Sequence, residues 1–198
     1  MSVDEMINTS AARRAMIDSQ LRVSGVNDLR VLAAMAGVAR EDFVPAAARG
    51  HAYIDRAIQL DHGHALPAPL VHGLMLSEAM PGADDHVLLV SNGSGYLPAL
   101  VEAMGASVEV VSAADAVIRK SSKRVCDLLI IDGAVEQLPA GLVNELIEGG
   151  QVVAGLVVRG VTRLASGIKI GGAVTLAPLS EVGIPVLSEF AAPNQWSF

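Results

Sequence analysis

The sequence predicts an α/β domain: a doubly wound, mostly parallel sheet with a helical cap before it and antiparallel strands after it. Three observations carry that reading. Apolar spacing follows a helical period through the first eighty residues, then shifts near His86 to short continuous runs, the pattern of strands buried on both faces. Those runs alternate with helical segments as far as Val158, which is how parallel strands are connected. Beyond Gly160, glycines separate two extended runs, the signal of a hairpin. The 198 residues read as one domain, with 1–80 as the cap and a loop and 81–198 as the α/β core.

The elements follow in order. Thr9 or Ser10 is placed to cap a helix over Ala11–Val23, with Met16, Ile17, Gln20 and Leu21 at neighbouring turns, and Gly25 ends it. Asn27 is expected to cap a second helix whose apolar face is Leu29, Val31, Leu32 and Met35, stopped by Gly37. Pro45 opens a short third helix, and the glycines and prolines between Ile58 and Pro69 indicate a loop. Leu70–Met80 reads as a helix closed by Pro81-Gly82. His86–Val90 is the first strand, followed by the turn Ser91–Gly95 and a helix over Tyr96–Met104. Strands are expected at Val108–Val111, Asp127–Ile131 and Gln151–Val158, with helices over Ala114–Lys123 and Leu138–Glu148. Val161–Leu164 and Ala173–Leu176 form the expected hairpin, separated by Gly167, Gly171 and Gly172.

Composition narrows the function classes. Apolar residues make up 52% of the chain and charged residues 18%, ample material for a packed core. The longest strongly apolar stretch, Gln151–Val158, is about half of the ~20 residues a membrane span needs, so no membrane association is expected. Asp4, Glu5, Arg13, Arg14 and Asp18 interrupt any apolar signal core, and the expected location is the cytoplasm. Cys126 is the only cysteine, which excludes an internal disulfide framework and a cysteine-built metal site. A net charge of −7, with few aromatics, argues against nucleic-acid binding.

A strand, a glycine-bearing turn and a helix let the backbone approach a ligand and present unpaired N–H groups to it. Here the turn is Ser91-Asn92-Gly93-Ser94-Gly95, which alone is equally a tight strand-to-helix connection. Its surroundings say more. Val87–Tyr96 resembles the first S-adenosylmethionine motif of the protein-L-isoaspartate O-methyltransferase family, V-L-E-I-G-T-G-S-G-Y. The resemblance extends to Met16-Ile17-x-x-Gln20-Leu21-Arg22, Gly25-Val26, Arg30-Val31-Leu32-x-Ala34-Met35, Arg40-Glu41-x-Phe43-Val44-Pro45 and Tyr53-x-Asp55-Arg56-Ala57. Downstream, Asp127–Ile131, Ala134-x-Glu136-x-Leu138-Pro139 and Leu146-x-x-Gly149-Gly150-Gln151-Val152-Val153 fall where the family has its fourth strand, helix and fifth strand. It covers Arg13 to Val158, while the tail, Phe190-x-x-Pro193 to Phe198, resembles a divergent branch. The resemblance implies a reduced Rossmann-like methyltransferase sandwich, S-adenosylmethionine as cofactor and a peptide or protein carboxylate as substrate. The cofactor site would be Ser91, Asn92, Gly93, Ser94, Gly95 and Ser112, with Leu66, Pro67 and Ala68 as the substrate loop.

Departures from the family pattern fall on those positions. Leu89 stands where the family has an acid, and Ser91 replaces the first loop glycine. Ser112 stands where a second acid would take the ribose hydroxyls. A hydrogen bond to a charged group is worth ~1.5–3 kcal/mol, so its loss weakens binding about ten- to a hundred-fold. Asp115 is a candidate replacement, and Asp132, at the C-terminal end of a strand, is either a remnant ligand group or a plain turn residue. Only fourteen residues separate Ser112 from Asp127, room for one helix and two turns. A strand and helix of the usual fold are therefore expected to be missing, leaving the Val108 strand at an exposed edge. The family's I-S-Q-P loop is Leu66-Pro67-Ala68-Pro69 here, and proline offers neither hydroxyl nor N–H. Methyl transfer to a carboxylate needs no general base, so positioning carries it, and no catalytic residue is assigned.

Two readings compete: a degenerate member with weak or no S-adenosylmethionine binding and a non-catalytic binding role, or an active protein carboxyl methyltransferase acting on isoaspartyl residues. His62-Gly63-His64 has metal-like spacing but no further clustered ligand, so a polar loop is favoured and no metal is assigned. Arg119-Lys120-x-x-Lys123-Arg124 reads as a solvated helix face rather than an anion site, and Cys126 as an inert small residue. An apolar edge strand, with Ala11, Ala12, Ala15 and Met16 on the first helix, leads to the expectation of a homodimer.

Overall fold

The computed structural model describes residues 3–120 and 125–192. Helix α1 (Val3–Met16) begins earlier than Ala11 and continues through a π turn, Ile17–Leu21, and a 3-10 turn, Arg22–Ser24. Asp28, not Asn27, caps α2 (Leu29–Gly37): it is the residue immediately before the helix, and its carboxylate accepts from the N–H groups of Arg30 and Val31. Val31, Leu32 and Met35 are buried as expected, but Leu29, in the first turn, is exposed. Pro45 opens the 3-10 turn Ala46–His51. The segment read as loop contains a small antiparallel hairpin, β1 (Ile58–Gln59) with β2 (Ala65–Leu66). Helix α3 (Pro69–Ala79) follows, with proline in its first turn where no N–H bond is lost.

The central sheet begins with β3 (His86–Ser91), α4 (Tyr96–Ala103), β4 (Ser107–Ser112) and α5 (Ala113–Ile118). It continues with β5 (Cys126–Val135), α6 (Ala140–Glu145), β6 (Leu146–Val158) and β7 (Val161–Ile170), then β8 (Ala173–Val174) and β9 (Ala177–Glu181). Strand order is β4-β3-β5-β6-β7-β8, with β9 also on β7. The first four strands are parallel and the rest antiparallel. This is a Rossmann-like α/β fold. Among the described residues no strand lies outside β4, which is therefore the edge.

Several boundaries differ from the sequence reading. α5 stops at Ile118 and α6 at Glu145, while β5 and β6 run longer than expected. Val161–Leu164 pairs with β6 and β9, not with Ala173–Leu176, and β7 runs unbroken through Gly167. A Cβ at Gly167 would lie 2.6 Å from the Thr175 carbonyl, so this glycine permits close passage rather than a break. On one face of the sheet Leu89, Ile130 and Val153 share a core with Met35, Leu76 and Leu97. On the other, Leu88, Val90, Leu129 and Ile131 share a core with Ala113, Ala116, Leu142, Leu187 and Phe190. No described helix is long and apolar enough to cross a membrane.

Candidate functional site

Strand order reverses beside β3: the chain passes outward to β4 and returns on the other side as β5. In open α/β sheets ligands bind outside the carboxyl ends of the strands at such a switch point. Val90 and Ile131 are in register, so the Ser91–Gly95 loop and Asp132 leave neighbouring strands at that point. Ser112 ends the third strand of the group.

The loop is bonded to itself. Gly93 and Gly95 have φ of 92° and 75°, a conformation that costs glycine little. The Gly93 N–H donates to Ser91 Oγ (3.0 Å), the Ser94 N–H to Asn92 Oδ1 (2.9 Å) and the Tyr96 N–H to Ser94 Oγ (3.2 Å). These are donors that an open loop would offer to a ligand. His64 sits against the loop. Its Nδ1 is 2.9 Å from the Asn92 carbonyl, its Nε2 is 2.9 Å from Glu189 Oε1, and a Cβ on Gly93 would lie 3.6 Å from Nδ1. Both partners are acceptors, so only the doubly protonated ring donates to both. Burial works to raise the Glu189 carboxyl, but its backbone hydrogen bond and His64 outweigh that and hold it below the usual range.

Glu189 belongs to a C-terminal segment that crosses the same end of the sheet. The Ala134 N–H donates to the Pro185 carbonyl (2.8 Å), the Leu187 N–H to the Ala134 carbonyl (2.9 Å) and the Glu136 N–H to the Phe190 carbonyl (3.3 Å). Leu187 covers Gly133, where an added Cβ would lie 2.5 Å from Leu187 Cγ. Phe190 is buried in the core that includes Ala113 and Ala116, and its turn packs against α5.

Asp132 is 1% exposed, and its Oδ1 lies 2.8 Å from His72 Nε2. His72 Nδ1 faces Arg40 Nη1 at 3.4 Å. The Arg40 guanidinium, fully buried, donates to the carbonyls of Ala52 (2.7 Å) and Pro67 (2.5 Å) and lies 5.0 Å from the Tyr96 ring centroid. Burial pulls the Arg40 pKa down and pushes the Tyr96 hydroxyl up to about 12. Asp132 Oδ2 and Tyr96 Oη are buried without a hydrogen-bond partner. A second network, Arg13 with Glu41 (3.0 Å) and Tyr53 (2.6 Å) and a short Tyr53–Glu41 bond, ties α1 to the later turns of the cap.

The other residues singled out in the sequence lie as follows. Leu66 is buried in β2, Pro67 is held by Arg40 and Ala68 precedes α3. Ser112 caps α5, accepting from the Asp115 N–H (3.1 Å) and donating to Asp115 Oδ2 (2.7 Å). Leu89 is wholly buried. Arg119 is not on a free basic face: it bridges Glu109 (2.5 Å) and Glu145 (2.8 Å). Lys123, Arg124 and the tail from Pro193 lie outside the described residues, as does the side chain of His62. A cleft of about 470 Å³ lies at the opposite, N-terminal ends of β3, β4 and β5, lined by His86, Ser107, Glu109, Cys126 and Glu145 among others. Burial pushes the Cys126 thiol up to about 11. Glu189, His72 and the role of Arg40 were not legible as site features, and His64 was noted only for its spacing and read as part of a polar loop.

The profile of the family described as protein-L-isoaspartate(D-aspartate) O-methyltransferase matches residues 11–128. A protein-L-isoaspartate O-methyltransferase of Herpetosiphon aurantiacus is 30% identical over 166 residues, 72% of this chain and 74% of that protein. One from Koribacter versatilis is 31% identical over 165 residues, 71% and 74% of the two chains. Among solved structures, a beta-aspartate methyltransferase from Plasmodium falciparum in complex with S-adenosyl-L-homocysteine superimposes with a TM-score of 0.72 at 18% identity, covering 91% of this chain and 98% of that one.

Proposed function

Because the chain belongs to the protein-L-isoaspartate O-methyltransferase family, we propose that it is a degenerate member: a cytoplasmic polypeptide-binding protein whose donor end is closed by its own chain. The observation that carries this reading is the His64–Glu189 pair seated on the glycine loop. S-adenosylmethionine would require free loop N–H groups, an acceptor for its ribose hydroxyls and an open floor. The Gly93, Ser94 and Tyr96 N–H groups are bonded within the loop, Leu187 lies on Gly133, and Phe190 is packed in the core with Ala113 and Ala116. As arranged, these residues do not fit the donor. Pro67 gives its carbonyl to Arg40 and has no hydroxyl to position a carboxylate.

The alternative, an active S-adenosylmethionine-dependent carboxyl methyltransferase, is favoured by the names of the relatives. Labelled S-adenosylmethionine with an isoaspartyl peptide separates the two. The degenerate reading expects background counts; transfer that disappears in Gly93→Val would establish the active one. We also propose a homodimer through the β4 edge, where Val110 is 48% exposed. Light scattering should then give about twice the 20.5 kDa chain mass.

A further inference from the structure

β4 pairs with β3 along the whole of Ser107–Ser112 without a register shift, and among the described residues no strand pairs with its other side. The usual protections of an edge are missing from it. Ser107-Val108-Glu109-Val110-Val111-Ser112 has no proline and no lysine, and its unbroken register leaves no bulge to turn the edge away. Glu109 is its only charge, and that carboxylate accepts from the Arg119 guanidinium (2.5 Å). The ion pair leaves the edge nearly neutral, although the chain carries −7 overall and its copies repel one another elsewhere.

We infer that β4 pairs antiparallel with β4 of a second copy about a two-fold axis at Val110, so that one sheet runs through both chains. The inference rests on the edge dimer proposed above and names its register. A two-fold axis perpendicular to a sheet relates antiparallel strands and sets one residue opposite its own copy. Only axes at Glu109 or Val110 pair most of the strand, because axes nearer its ends leave residues overhanging. An axis at Glu109 would oppose two carboxylates, and like charges directly opposite destabilise a sheet. An axis at Val110 opposes valine to valine, Glu109 to Val111 and Val108 to Ser112, with no charge facing a charge. β-branched side chains suit such a seam, and the pairing satisfies the outer row of N–H and C=O groups.

The surroundings fit a second copy. Val110 is exposed, as are Val117 and Ile118 of α5, which packs on β4. The two-fold axis keeps both copies of α5 on one face of the joined sheet, to either side of the seam. The register also sets the second copy's Ser112 opposite Val108, which lines the cleft at the N-terminal ends of β3, β4 and β5. That cleft is then bordered by both chains.

Cysteine linkage reads the register. Residues opposed across an antiparallel pair have Cα atoms ~4.5–5.5 Å apart, inside the ~4.4–6.8 Å span of a disulfide. Cys126 is buried, and burial pushes its thiol up to about 11, so it does not compete. Val110→Cys and Val108→Cys proteins are oxidised separately and as a mixture in which one carries a tag, and the wild-type mass is measured by light scattering. The expected result is a wild-type dimer, with Val110→Cys linking to itself at least tenfold faster than Val108→Cys does and few mixed links. Val110→Lys, which opposes two ammonium groups at the axis, should be a monomer with the circular dichroism of the wild type. A monomeric wild type, or a dimer that Val110→Lys leaves intact and neither cysteine links, overturns the edge dimer and this pairing together. Mixed links between Val108→Cys and Val110→Cys, without links of Val110→Cys to itself, overturn the Val110 axis and leave the edge dimer standing.

Discussion

On one face of the sheet, Leu89, Ile130 and Val153 lie in a core shared with α2, α3 and α4, and the buried Asp132–His72–Arg40 network fastens the cap to it. On the other, Leu88, Leu129 and Ile131 are covered by α5 and α6, helices of six residues each, and by Leu187 and Phe190 of the C-terminal segment. The short connection between β4 and β5 thins only the second face. There the C-terminal segment does two things at once: it completes a core and it crosses the carboxyl end of β5, where the proposed closure lies.

Cavity mutants should expose this difference most strongly. Leu97→Ala on the covered face should cost about 5 kcal/mol, near the top of the Leu→Ala range, because its neighbours are fixed from several sides. Leu142→Ala on the thin face should cost about 3 kcal/mol, since short helices can settle into the space. Equal losses in urea denaturation would erase the contrast. Arg40→Leu should cost about 3–5 kcal/mol by leaving the Asp132–His72 pair without its buried cation. A near-neutral result would mean that the network contributes little to holding the cap.

The sequence made the covered face legible and left most of the site hidden. Gly37 punctuates α2, although its cap is Asp28 rather than the expected Asn27, and the runs at β3 and β4 are bounded by turn residues, so those elements can be read locally. The end of α6 cannot. Its last turn gives way to Leu146, which is buried in the sheet and whose carbonyl receives the ammonium of Lys169 from β7 (2.6 Å). Tertiary contact ends the helix there, not a local stop signal. The site is less legible still: His64 and Glu189 are 125 residues apart, and His72 and Asp132 are 60 apart. No local spacing joins them.

Smaller effects sharpen the comparison. Asp28→Ala should cost about 1 kcal/mol, the usual loss for an N-cap carboxylate, and should act only through α2. Acid should weaken both regions. Burial works to raise Glu41, but its bonds to Tyr53 and Arg13 keep its carboxyl below the usual range, and Glu189 is likewise held low. A carboxyl depressed in the folded state contributes stability above its unfolded value, near ~4.3, and loses it as pH falls through the folded value. Denaturation midpoints should therefore drop below about pH 4.3, with a smaller drop in Glu41→Gln and a slight reduction in Glu189→Gln. Midpoints that rise on acidification would reverse the sign and contradict both assignments.

The most direct measurement for the closed donor end is the thermal midpoint of the wild-type protein with and without S-adenosylhomocysteine at roughly 100 times a 10 μM dissociation constant, about 1 mM. A loop whose donors are bonded internally and covered by His64 predicts an unchanged midpoint. Binding at 10 μM would add about 2.7 kcal/mol and raise the midpoint by about 5–11 °C for a chain of this size. A rise of that order would contradict the closure.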